Sequence, residues 1–167
     1  KNIFKPLFLK RKFDFLLGNP PWIAFRYLEP QYQNFVREQI TKEYRLLTGR
    51  GELITHLEVA TLFLVRAADL YLKDGGRIAF VLPRSLFSAD QHDGLRKRSF
   101  RFSEDTTRSL TFRELWDCEE IEPLFNVPAC VLFADKGEAT QKTEYPVAGE
   151  VLSGRLARKN ASLTEAQ

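Results

Sequence analysis

Methionine is absent from all 167 residues, and the chain opens on Lys1-Asn2. A translation product normally begins with methionine, so an internal piece of a longer protein is expected. Cysteine is scarce. Cys118 and Cys130 are the only two; their spacing is not that of a metal site, and they permit at most one disulfide. A reduced, cytosolic (cytoplasmic) compartment is expected. The two histidines, His56 and His92, show no ligand or catalytic spacing. No apolar run approaches the roughly 20 residues that span a bilayer. The N-terminus mixes Lys1, Lys5, Lys10, Arg11 and Lys12 with aromatics, unlike a signal peptide. A membrane partner is therefore not expected. Charge of one sign is also lacking: the net value is +3, which permits an acidic partner such as nucleic acid without demanding one. The sole Gly-x-Gly, Gly49-Arg50-Gly51, follows a helical pattern and reads as a helix stop.

Hydrophobic residues make up 44% of the chain, enough for a globular domain with a real core. An apolar run at 13–18 reads as a strand. Glu29-Pro30 opens a helix whose apolar positions, Tyr32, Phe35, Val36, Ile40, Tyr44 and Leu47, keep helical spacing to about 48–51. Thr55 and Glu58 fit a capping box before a helix over 57–72 that is apolar on nearly every side, as in a helix buried on a sheet. A tight turn over 73–76 feeds a short, continuously apolar strand at 77–82. A helix is expected over 90–100. Strands follow at 110–115 and 129–134, with Glu119, Glu120 and Glu122 on the connection between them. One more is expected around 145–152. The residues after 155 read as helix or linker. The order is that of an α/β sheet with parallel strands and an antiparallel ending. Residues 1–140 form one unit in this reading, and 141–167 a linker or the start of a following region.

The strand at 13–18 runs straight into Asn19-Pro20-Pro21-Trp22. Two prolines in succession cannot continue a central strand, because neither has a backbone N–H. The loop that results offers two acceptors, the Asn19 side-chain oxygen and the Pro20 carbonyl. Together they can hold both protons of an exocyclic amine, which localises the nitrogen lone pair for attack on an electrophilic methyl group. The Trp22 ring can stack on the base that carries the amine. Pro20 and Pro21 stiffen the loop before substrate arrives.

This tetrapeptide, with the apolar strand and Gly18 before it, resembles the catalytic loop of the adenine-specific (N6) DNA methyltransferases of restriction–modification systems. Gly75-Gly76-Arg77 leading into 78–83 looks like the fifth-strand region of the same enzymes, and residues 124–133 are similar to their hairpin segment. The resemblance spans roughly residues 13 to 134. It implies the C-terminal half of a class I S-adenosylmethionine-dependent (Rossmann-like) sheet, with parallel strands ending in an antiparallel hairpin. It implies S-adenosylmethionine as cofactor of the parent protein and double-stranded DNA as partner. It also assigns Phe125 to contact with a flipped-out base.

One departure from the family is clear: the glycine-rich cofactor loop is absent. The first three strands and the target-recognition domain are then expected outside this chain, and the piece alone is expected to be inactive. Its missing N-terminal half becomes a partner, and the exposed edge at 13–18 invites self-association. Arg96, Lys97, Arg98 and Arg101 form a basic run that offers a weak DNA-backbone site. The alternatives are a glutamine-amide or RNA-amine methyltransferase, and a non-catalytic DNA-binding or assembly module on the same fold.

Overall fold

The apolar runs read from the sequence become strands of a single sheet. The computed structural model describes residues 9–141, 143 and 145–158. Its sheet has five strands: β1 (Phe13–Gly18), β2 (Leu72–Pro83), β3 (Arg108–Glu122), β4 (Ala129–Glu138) and β5 (Ala148–Arg155). Their spatial order is β1-β2-β4-β3-β5. β1 and β2 are parallel, β4 is antiparallel to both β2 and β3, and β5 runs parallel to β3. A parallel pair needs a long crossover. Here it carries α1 (Pro30–Glu38) and α2 (Val59–Tyr71). In α2, Ala60, Leu64, Val65 and Ala68 are fully buried in the same core as Ile78, Leu82 and Leu132.

β1 lies at one edge of the sheet. Leu16 packs on the core, while its neighbours Phe15 and Leu17 point the other way and are 70% and 81% exposed. That is a large apolar face to leave in water, since both rows of a parallel strand are normally covered.

Several local expectations change. α1 does begin on Pro30, but α-helical bonding ends at Glu38 and a wider π turn covers Gln39–Glu43. Tyr44 N–H donates to the Gln39 carbonyl and Leu46 N–H to that of Ile40. The wider turn lets Ile40, Tyr44 and Leu46 all face the core, which regular 3.6-residue spacing would not. Gly49, at φ +73°, makes a loop turn beyond that point and is not the helix stop itself. The capping box is not formed. Thr55 donates to the Glu52 carbonyl within a 3-10 turn, and Glu58 directs its carboxylate at Ser85 and His92. The residues expected as a tight turn at 73–76 lie within β2. The β1–β2 register jumps from Phe13↔Leu72 to Phe15↔Arg77, so these residues bulge out of the ladder. Glu119, Glu120 and Glu122 are not on a connection. β3 continues through them because β5 offers a second partner, with Glu120 opposite Ser153 and Glu122 opposite Arg155. The residues beyond 158 lie outside those described.

The helix expected over 90–100 shrinks to a 3-10 turn, Asp90–His92, and one turn of α3 (Asp93–Arg96). Arg98, at φ +53°, breaks it. Gly94 packs directly against the backbone of Leu46, and a Cβ there would lie 2.0 Å from the Leu46 carbonyl oxygen. Backbone cannot move aside as a flexible side chain can. Gly94→Ala is expected to destabilise the fold by about 2–3 kcal/mol, as overpacking does, and chemical denaturation measures this.

Lys136 is 1% exposed and reaches across from β4 to the C-terminal end of α2. The side chain of Asp69, on the same helix, accepts from the backbone N–H groups of Ser103 and Glu104 at 2.9 and 3.1 Å. Both contacts fasten α2 to the sheet and to the chain beside it.

Candidate active site

β1 and β2 are parallel, so their carboxyl ends open on the same side of the sheet. Ligand sites in open α/β sheets gather at such ends. The Asn19-Pro20-Pro21-Trp22 loop leaves β1 there. Gly18 has a packing reason to be glycine: a Cβ would sit 2.9 Å from the Phe80 ring. The Trp22 indole N–H donates to the Val81 carbonyl at 3.2 Å, which pins the ring against the end of β2. Asn19 is exposed, and its side chain makes no hydrogen bond among the described residues. The amide that the sequence singled out is therefore free to accept.

Phe125 arrives from a different element, the β3–β4 connection. Its ring centroid lies 5.0 Å from that of Trp22, with the planes tilted by 51°. Residues 103 positions apart in the chain are thus in direct contact. Aromatic pairs touch at roughly 4.5–7 Å, so no planar group fits between these rings. They form one continuous aromatic wall. The Phe125 loop is held by the Arg84 N–H, which donates to the Pro128 carbonyl at 2.8 Å. The Arg84 guanidinium in turn lies 2.8 Å from Asp117 and 3.1 Å from Glu119 on β3.

The basic run is placed differently. Arg96 donates to the Leu86 and Ala89 carbonyls, and Arg101 to those of Glu43 and Lys42. Arg98 donates to the Gln141 carbonyl, and burial pulls its guanidinium below the ordinary arginine value. Lys97 pairs with Asp93 at 2.7 Å. Three of the four side chains thus clamp loops together, and only Lys97 extends mainly into water.

Sequence reasoning missed a buried polar cluster beside the loop. His92 is 1% exposed. Its Nε2 lies 2.8 Å from Glu58 and its Nδ1 2.9 Å from the Thr61 hydroxyl, and the Ser85 hydroxyl donates to Glu58 at 3.1 Å. No pattern pointed to it, because its members come from three separate segments. Cys118 and Cys130 are free thiols, and burial pushes Cys130 up to about 12. No group of acidic, histidine or cysteine side chains among the described residues is arranged to hold a metal ion. No described helix is long and apolar enough to cross a membrane.

Residues 1–120 match the family described as Eco57I restriction-modification methylase. The chain belongs to this family. No match was found among curated proteins. Among solved structures, the methylase chain is similar to a protein from Listeria monocytogenes assigned as a class I S-adenosylmethionine-dependent methyltransferase. That likeness has a TM-score of 0.53 at 18% identity, over 84% of this chain and 37% of the other. It is also similar to a DrdV–DNA complex, with a TM-score of 0.50 at 18% identity over 84% of this chain and 15% of that one. A third likeness is to a type I restriction enzyme's assigned modification subunit from Vibrio vulnificus YJ016. Its TM-score is 0.50 at 17% identity, over 91% of this chain and 28% of the subunit. These likenesses establish the fold of the methylase chain as that of the class I methyltransferases. The chain spans well under half the length of each.

Proposed function

We propose that this methylase chain supplies the catalytic wall of a DNA methyltransferase that methylates the N6 amine of adenine. The observation that carries the reading is the exposed Asn19 amide, unbonded among the described residues, at the carboxyl end of β1 beside the Trp22–Phe125 wall. An adenine amine inside a duplex is paired and stacked, so the base must be extruded to reach these groups. The two aromatic rings replace part of the lost stacking. The Asn19 oxygen and the Pro20 carbonyl accept the two amine protons and direct the nitrogen lone pair outward.

S-adenosylmethionine supplies the electrophilic methyl group in this reading. The described residues contain no glycine-rich turn after a strand. The part of a donor pocket that this chain offers is the loop after β1. The same reading assigns the edge of β1 that is unpaired among the described residues, with Phe15 and Leu17, to contact with an N-terminal half of the methyltransferase sheet.

The test is methyl transfer by the full-length protein from labelled S-adenosylmethionine to duplex DNA, with the nucleosides separated by mass spectrometry. N6-methyladenine is the expected product. Methyl groups found on a protein amide or an RNA amine would move the chemistry to another acceptor. No transfer at all would leave a binding module on a methyltransferase fold.

A further inference from the structure

The buried cluster around His92 has the composition of a hydrolytic triad but not its wiring. In a triad the serine and the acid sit on opposite ring nitrogens. Here both face the same one: Nε2 lies 2.8 Å from Glu58 and 3.4 Å from Ser85, while Nδ1 is taken by Thr61. A nitrogen this close to a carboxylate carries the proton, and the Thr61 hydroxyl then donates to the bare Nδ1. The histidine is sealed from solvent and has no free valence for a substrate.

What the cluster does hold is position. Glu58 grips the catalytic loop through its backbone and the β2 end through its side chain. On the backbone side it forms a β-bridge with Ala24, two residues past Trp22. Phe25 N–H donates to the Leu57 carbonyl and Val59 N–H to that of Ile23, both at 2.9 Å. On the side-chain side, one carboxylate oxygen accepts from Ser85 in the turn after β2, and the other from His92. Burial pushes the Glu58 carboxyl up, but these hydrogen bonds outweigh it and hold it below its ordinary value. The turn that carries Ser85 is the one whose Arg84 N–H fixes Pro128, three residues from Phe125. Glu58 thus links the Trp22 side of the wall to the Phe125 side, beside the Trp22–Val81 bond and the ring contact itself.

We propose that Glu58, held by Ser85 and His92, is a positioning residue that sets the Asn19–Trp22 loop against the Phe125 loop without touching substrate. The proposal rests on the methyltransferase reading for its effect on turnover, but not for its effect on geometry. The experiment therefore reads both. The full-length protein is labelled with 5-fluorotryptophan, and the Trp22 resonance is assigned with Trp22→Phe. In Glu58→Ala that resonance is expected to shift or broaden, and kcat to fall about tenfold, as a misplaced but intact site behaves. KM for S-adenosylmethionine is expected to stay within about twofold, because Glu58 lies outside the acceptors.

Glu58→Gln keeps an acceptor for Ser85, and a tautomer change at His92 restores its second bond, so this variant is expected to recover most of the turnover. Ser85→Ala removes one bond with little risk to folding, and is expected to move the Trp22 resonance in the same direction by less. An unmoved Trp22 resonance in folded Glu58→Ala and Ser85→Ala overturns the proposal. A moved resonance in an enzyme whose wild type methylates no DNA sustains the positioning role and removes the adenine reading instead.

Discussion

Asn19→Ala is expected to lower kcat for methyl transfer by about 10²–10³-fold, the loss typical of removing one preorganised group that stabilises a transition state. Stability should hardly change. The side chain is exposed and bonded to nothing among the described residues, so its removal leaves no buried group unpaired. Surface changes of this kind stay within about 0.5 kcal/mol, and the melting temperature should move by no more than about 2 °C. Trp22 stays pinned to the Val81 carbonyl, so the loop keeps its course. Asn19→Asp retains an acceptor oxygen at the same reach and is expected to keep more activity than alanine. Steady-state kinetics beside a thermal melt separate the two effects. Near-normal turnover in a folded Asn19→Ala protein would exclude amine activation by this amide.

Lys136→Met is the change with the largest expected effect on folding. The ammonium donates to three carbonyls at the end of α2: Ala68 at 3.0 Å, Asp69 at 3.1 Å and Leu72 at 3.0 Å. The last carbonyls of a helix have no partner within it, and a cation there also meets the negative end of the helix dipole. All three donors of the lysine are in use. Methionine fits the volume and removes a costly buried charge. It also leaves three carbonyls unpaired in the core, each worth about 1–3 kcal/mol. The orphaned carbonyls outweigh the charge, and a net loss of about 3 kcal/mol is expected. For a domain of this size that is about 10 °C in melting temperature.

The pH dependence has a definite sign. Burial pulls the Lys136 ammonium below the ordinary lysine value. Between its folded and unfolded values the unfolded chain holds the extra proton, so stability from this group rises with pH across that alkaline window. The gap between wild type and Lys136→Met should widen there. A gap that narrowed would mean the charge itself, rather than the carbonyl bonds, holds the helix.

Strand identity was legible because strands rest on short, local apolar runs. β1 was found at both ends, while β2 begins at Leu72, ahead of the expected 77–82, and β4 runs on to Glu138, past the expected 129–134. Helix ends were read less well, for reasons of packing. The helix after Pro30 gives way to a π turn so that Ile40, Tyr44 and Leu46 share one core. The helix expected from residue 90 is cut short where Arg98 takes a positive φ of +53°, just after the turn whose Gly94 packs on the Leu46 carbonyl. Glu119 to Glu122 read as a polar connection because a sequence does not show that β5 will lie alongside.

The sequence by itself determined the loop proposed here as reactive. Two prolines after a strand end it wherever they occur, and an asparagine amide beside them is an acceptor in any fold. Those are properties of covalent structure and backbone chemistry, and they survive without neighbours. Only the tertiary structure decided what stands around the loop. Trp22 and Phe125 touch at 5.0 Å because β4 pairs with β2 and carries the hairpin back to the end of β1. Glu58, Ser85 and His92 meet because α2, the turn after β2 and the segment at 90–92 converge beneath that loop. Each of these contacts depends on burial and strand pairing between segments far apart in the chain, and no local pattern encodes them.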